Sequence, residues 1–127
     1  MPEQPKRSAE HDRRIDYIEF PAADLPATKR FYQQAFGWKF TDYGPEYASF
    51  EDGRLDGGFH SGAEARATSG TGKGTLVVLF AVDLAEAEAR VRRAGGTIVT
   101  PIFSFPGGRR FHFTDPSGNE LAVWSDR

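Results

Sequence analysis

The chain has 127 residues, 39% of them hydrophobic and 27% charged, so it can bury one core and still stay dissolved. Its formal charge of −2 and the scatter of its basic residues argue against nucleic acid as a partner. The absence of cysteine excludes disulfides, thiolate metal sites and a cysteine nucleophile, and no apolar run approaches the ~20 residues that span a bilayer.

Residues 1–14 are polar and charged. No apolar stretch there can serve as a signal peptide, so a poorly ordered arm and a cytoplasmic location are expected, with His11 solvated. Residues 15–20 alternate and are rich in β-formers, which predicts a strand. Asp24 is a helix N-cap, Pro26 is tolerated in the first turn, and Gly37 supplies a left-handed stop. Between them Leu25, Thr28, Phe31, Tyr32, Ala35 and Phe36 make one apolar face, which predicts a helix over residues 25–36. Three strand-like segments follow at 38–43, 46–51 and 54–60, parted by Gly44-Pro45 and by the hairpin signal Asp52-Gly53.

Residues 61–74 are rich in Gly, Ser, Thr and Ala without an apolar period and read as a flexible linker. The glycines at 70–74 are too few and wrongly spaced for a phosphate loop. Residues 75–81 predict a buried strand. Asp83 caps a helix over 84–94, which Gly95 and Gly96 stop. Residues 97–105 are strand-like, but Pro101 requires a bend, a break or an edge. Strands at 109–114 and 120–125 are joined by the turn sequence DPSG at 115–118.

The two halves repeat. An offset of 59 residues carries Asp24 onto Asp83, Leu25 onto Leu84, Ala35 onto Ala94, Gly37 onto Gly96 and Thr41 onto Thr100. The expected fold is α+β: two tandem βαβββ modules, residues 15–60 and 75–127, with one long helix each, forming an open, curved mixed barrel around a cleft. Such junctions favour small-molecule sites.

Two motifs make the resemblance specific. DLPATKRFYQQAFGW at 24–38 resembles the first helix of the vicinal-oxygen-chelate (glyoxalase/bleomycin-resistance/dioxygenase) superfamily, with Phe31, Tyr32, Gly37 and Trp38 as the key matches. DPSGN at 115–119 resembles its final hairpin turn. Metal-dependent members place His, Glu or Gln on the cleft-facing strands. The corresponding positions here are Tyr17, its repeat mate Leu76, Ala122, and a fourth near Gly57 or Gly58. Leucine, alanine and glycine side chains cannot coordinate a metal and a phenol does so poorly at neutral pH. The resemblance therefore implies a metal-free member with no cofactor, a bound divalent metal being the alternative.

Strand alternation puts Glu19 on the face of Tyr17, where it can serve as a general base, bind a cationic group or pair with an arginine. His60 and His112 are the other acid/base candidates, each with a plain surface reading beside it. Phe59, Phe103 and Trp124 are expected to form an aromatic wall, completing a cleft of Tyr17, Glu19, Phe59, Leu76, Phe103, His112, Ala122 and Trp124. Arg109 and Arg110, beside a glycine turn, can meet an anion but are as easily solvated. The leading expectation is a small-molecule-binding protein, dimeric by resemblance. A lyase or isomerase resembling lactoylglutathione lyase, or a dioxygenase, is the enzymatic alternative, and an interaction module with a filled cleft is the third.

Overall fold

The computed structural model describes residues 9–13, 15–62 and 75–127. Most of the linker expected over 61–74, and residues 1–8 and 14 of the expected arm, lie outside them. The first module runs β1 (Tyr17–Pro21), α1 (Leu25–Phe36), β2 (Lys39–Asp42), β3 (Tyr47–Glu51) and β4 (Asp56–His60). The second runs β5 (Val77–Phe80), α2 (Leu84–Arg93), β6 (Thr97–Phe105), β7 (Gly108–Thr114) and β8 (Glu120–Ser125). Each module is one four-stranded sheet, ordered β1-β4-β3-β2 and β5-β8-β7-β6. In both, the first strand pairs parallel with the last strand of its module and the remaining pairs are antiparallel. The sheets are open and separate, not closed into one barrel.

The helices begin alike because the same chemistry starts them. Asp24 accepts a hydrogen bond from the Ala27 N–H at 3.1 Å, and Asp83 accepts one from Glu86 at 3.1 Å. Gly37 ends α1 at a φ of 70°, where a side chain would be strained. Pro101 is accommodated as its missing N–H requires: β6 is an outer strand of its sheet, and its register slips just before Thr100 and again across the proline.

One face of each sheet is covered by its helix. Phe20, Phe31, Tyr32, Trp38, Phe50, Phe59, Leu84, Val91, Phe111, Phe113, Leu121 and Val123 form the shared core. Trp38 stacks between Tyr32 and Phe50, with ring centroids 4.5 and 4.4 Å away. Each such buried ring contributes about 1.5–3 kcal/mol. The modules join through this core: Phe31 and Phe36 of α1 meet Phe113 of β7, and the Arg90 Nε–H of α2 donates to the Ala35 carbonyl of α1.

A buried polar clasp fixes the same junction. The Tyr32 hydroxyl donates to the Asp115 carboxylate at 3.0 Å. That carboxylate also accepts from the Ser117 and Asn119 N–H groups and from the Asn119 side chain, which reaches on to the Pro21 carbonyl at 2.8 Å. Ser117 bonds Thr28 and accepts from the Asp24 N–H. The FY and DPSGN segments are thus two halves of one contact.

Burial raises the Asp115 carboxyl above the ordinary aspartate range, against the downward pull of its hydrogen bonds from Asn119, Tyr32 and Ser117. The folded chain therefore holds this proton more tightly than the unfolded one. The penalty for charging Asp115 is absent below its unfolded pKa and grows as pH rises through its folded pKa. Tyr32→Phe removes a donor that favours the charged form. It should cost about 1.5–3 kcal/mol in urea unfolding at neutral pH, the range for a hydrogen bond to a charged group, and less in mild acid. An equal loss at both pH values would remove the carboxylate from this account.

Candidate ligand-binding faces

Strand alternation turns every second side chain away from the helices. On the first sheet the register places Tyr17 and Glu19 of β1, Asp56, Gly58 and His60 of β4, and Tyr47, Ser49 and Glu51 of β3 on that open face. Tyr47 donates to Glu19 at 2.9 Å, which uses its one hydrogen. In the 2.5 Å contact between the two phenols, Tyr17 is therefore the donor. The result is a relay from Tyr17 through Tyr47 to Glu19. Burial first, then the bonds to Tyr17 and Glu19, push the Tyr47 phenol well above the usual tyrosine range, so it stays a neutral donor.

Gly58 makes room for this relay. A Cβ there would collide with the Tyr47 hydroxyl and lie 2.7 Å from that of Tyr17. Gly57 faces the opposite way, where a Cβ would strike the Ile18 carbonyl and the Phe50 ring.

The second sheet carries three rows on its open face. Phe80, Trp124, Arg110 and Phe103 run across β5, β8, β7 and β6; Val78, Ala122, His112 and Thr100 form the next row; Glu120, Thr114 and Thr97 form the third. Phe80 meets Trp124 edge to face at 5.4 Å. The Arg110 guanidinium lies over the rings of Phe103 and Phe105, 5.4 and 5.5 Å from their centroids. The His112 ring stacks on Phe103, and its Nδ1 is 2.9 Å from Glu120 Oε2. A carboxylate only accepts, so Nδ1 is the donor in this contact.

The sequence-derived candidates therefore divide between the sheets. Tyr17, Glu19 and His60 share the first open face; Phe103, His112, Ala122 and Trp124 share the second, and Leu76 immediately precedes β5. Phe59 must be reassigned. It is fully buried on the helix side, with ring contacts to Phe20, Tyr32, Phe40 and Phe50, and belongs to the core. Tyr47, Phe80 and Phe105 are among the face residues that sequence reasoning did not place there. Tyr47 was findable, since Tyr47, Ser49 and Glu51 alternate with the apolar Ala48 and Phe50.

The match to a family model decides the ancestry: residues 14–123 fit the Glyoxalase/Bleomycin resistance protein/Dioxygenase superfamily. The chain belongs to this superfamily. Solved structures share the fold. A glyoxalase-related enzyme from Fulvimarina pelagi is 21% identical over 89% of this chain and 88% of its own, with a TM-score of 0.72. A glyoxalase/bleomycin resistance protein/dioxygenase family enzyme from Burkholderia phytofirmans PsJN is 17% identical, over 89% and 100%, with a TM-score of 0.73. A lactoylglutathione lyase from Agrobacterium tumefaciens is 21% identical, over 89% and 93%, with a TM-score of 0.66. No curated protein matches significantly.

The superfamily's metal chemistry does not fit the residues present. Of the four positions the resemblance assigns to its ligands, Tyr17 has its proton engaged with Tyr47, and Leu76, Ala122 and the glycine at 57 or 58 offer no donor side chain. Among the described residues, no helix is long and apolar enough to cross a membrane.

The contrast between the two glycines is measurable. Gly58→Ala displaces only the ends of two side chains and should cost about 1 kcal/mol while breaking the Tyr17–Tyr47 bond, visible as a changed ultraviolet titration of the tyrosines. Gly57→Ala meets backbone and a buried ring and should cost about 2–3 kcal/mol or more. Equal costs in thermal melts would contradict the assignment of faces.

Proposed function

We propose that this member of the superfamily is a metal-free small-molecule-binding protein whose ligand lies on the aromatic face of the second sheet. The row Phe80–Trp124–Arg110–Phe103, beside an alanine where the family's metal-binding carboxylate would stand, carries this reading. Flat rings with few polar groups between them suit a largely apolar ligand held by stacking and burial.

The reading includes a homodimer, with the open sheet of one chain facing that of a second. Tyr17, Val78 and Phe80 are 44%, 42% and 50% exposed, a costly arrangement for a face meant to stay in water. The lack of cysteine supports a cytoplasmic setting. A second reading, metal-free acid/base catalysis by a lyase or isomerase, rests on the His112–Glu120 pair, which orients an imidazole as in many general bases.

Two measurements separate these readings. Elemental analysis and thermal melts with Mn, Fe, Ni and Zn should show neither stoichiometric metal nor stabilisation, whereas a ligand binding only the folded state raises the melting temperature. A retained, stabilising metal would overturn the metal-free reading. Trp38 is buried in the core and Trp124 lies on the open face, so binding should quench fluorescence in the native chain but not in Trp124→Phe. Turnover of a bound compound that His112→Gln abolishes, with binding retained, would instead select the acid/base reading.

A further inference from the structure

Resting on that reading, we infer that the open face of the second sheet takes a flat aromatic anion, its carboxylate or equivalent group held by Arg110. Arg110 is half-buried in the middle of the aromatic row. Its guanidinium lies over Phe103 and Phe105, and Trp124 stands directly across the strand pair. Stacking on rings occupies the faces of a guanidinium and leaves its N–H edges available.

One of those edges has no partner among the described residues. The Arg110 Nε is buried and makes no hydrogen bond to any of them. A buried donor left unmade is costly, and few survive without a functional or structural reason. The neighbouring charges are engaged elsewhere: Glu120 faces His112, and Arg109 donates to the Arg127 carbonyl. The position thus combines a positive charge, a free donor and an apolar, ring-lined approach. A carboxylate meets the edge of a guanidinium with two parallel hydrogen bonds, which a lysine ammonium cannot reproduce. Phe80, Trp124 and Phe105 then provide surfaces for the planar body of the same molecule: Trp124 already contacts both phenylalanines, at 5.4 and 6.4 Å between ring centroids.

The rings alone would admit any aromatic compound. Arg110 adds a sign to the selection: it favours an anion, is indifferent to a neutral isostere beyond one hydrogen bond, and opposes a cation. Three probes of matched shape test this: naphthoate, naphthamide and naphthylmethylamine, titrated calorimetrically into the full chain. Naphthoate should bind at least about tenfold more tightly than the amide, and the amine should bind most weakly, as expected for a charge-assisted bidentate contact. Arg110→Gln should abolish the preference for naphthoate and leave amide binding largely unchanged. Arg110→Lys should lose part of the preference, because the charge remains and the fork does not. Arg109→Gln should change neither. Retention of the naphthamide affinity by Arg110→Gln also shows that this variant is folded. Equal binding of naphthoate and naphthamide by the native chain, or a preference that survives Arg110→Gln, overturns the anion assignment and leaves the aromatic cleft intact. Absence of binding by all three overturns both.

Discussion

Asp115 holds a carboxylate at the seam of two modules, and the architecture depends on its being there. A βαβββ unit covers one face of its sheet with its own helix and leaves the helix flank and sheet edges unprotected. Here the flanks are closed against each other by α1, α2 and β7, and the Asp115 turn bolts that junction with bonds to Tyr32 and, through Asn119, to the Pro21 carbonyl. Burying the carboxylate is expensive, as its raised pKa records. Four donor groups offset the expense, and they assemble only when the turn, the helix and, through Asn119, the end of β1 are all in place. The arrangement therefore favours a single relative placement of the modules over any sliding alternative.

That placement explains why both sheets turn their uncovered faces outward. The helices and the aromatic core occupy the space between modules, so every second residue of each strand is released from packing. The two released faces differ in chemistry. The first is built from hydroxyls and carboxylates, with Glu19 at the end of a tyrosine relay. The second is built from rings around one arginine and one histidine. On the first sheet the room beside Gly58 is taken by the phenols of Tyr17 and Tyr47, and on the second Ala122 is bordered by the Trp124 indole and the His112 imidazole.

Much of this was legible before any coordinates. The helix boundaries follow from Asp24, Asp83 and Gly37, whose caps are local chemistry, and β6 and β8 run as their apolar pattern indicates. The missing donor of Pro101 called for a bend, a break or an edge, and the structure takes the edge with a register slip. What sequence could not supply was cross-strand register. Residues 56–60 contain Gly57 and Gly58, which erase the alternation that would have shown Phe59 facing inward. Arg110 looked like any hairpin arginine because its partners, Phe103, Phe105 and Trp124, come from other strands. The Phe111 and Phe113 face was ambiguous for the same reason, until packing of Phe113 against α1 settled it.

The alternation of core and open-face residues along the same strands also has a bearing on how such a protein changes over generations. Arg110 and Phe111, or Ala122 and Val123, are chain neighbours, yet one member of each pair answers to the ligand and the other to the fold. Substitutions at the outward positions leave the aromatic interior largely untouched, so they can accumulate one at a time without unfolding the chain. A duplicated scaffold whose surface chemistry and stability are written in alternate letters can vary the one while conserving the other.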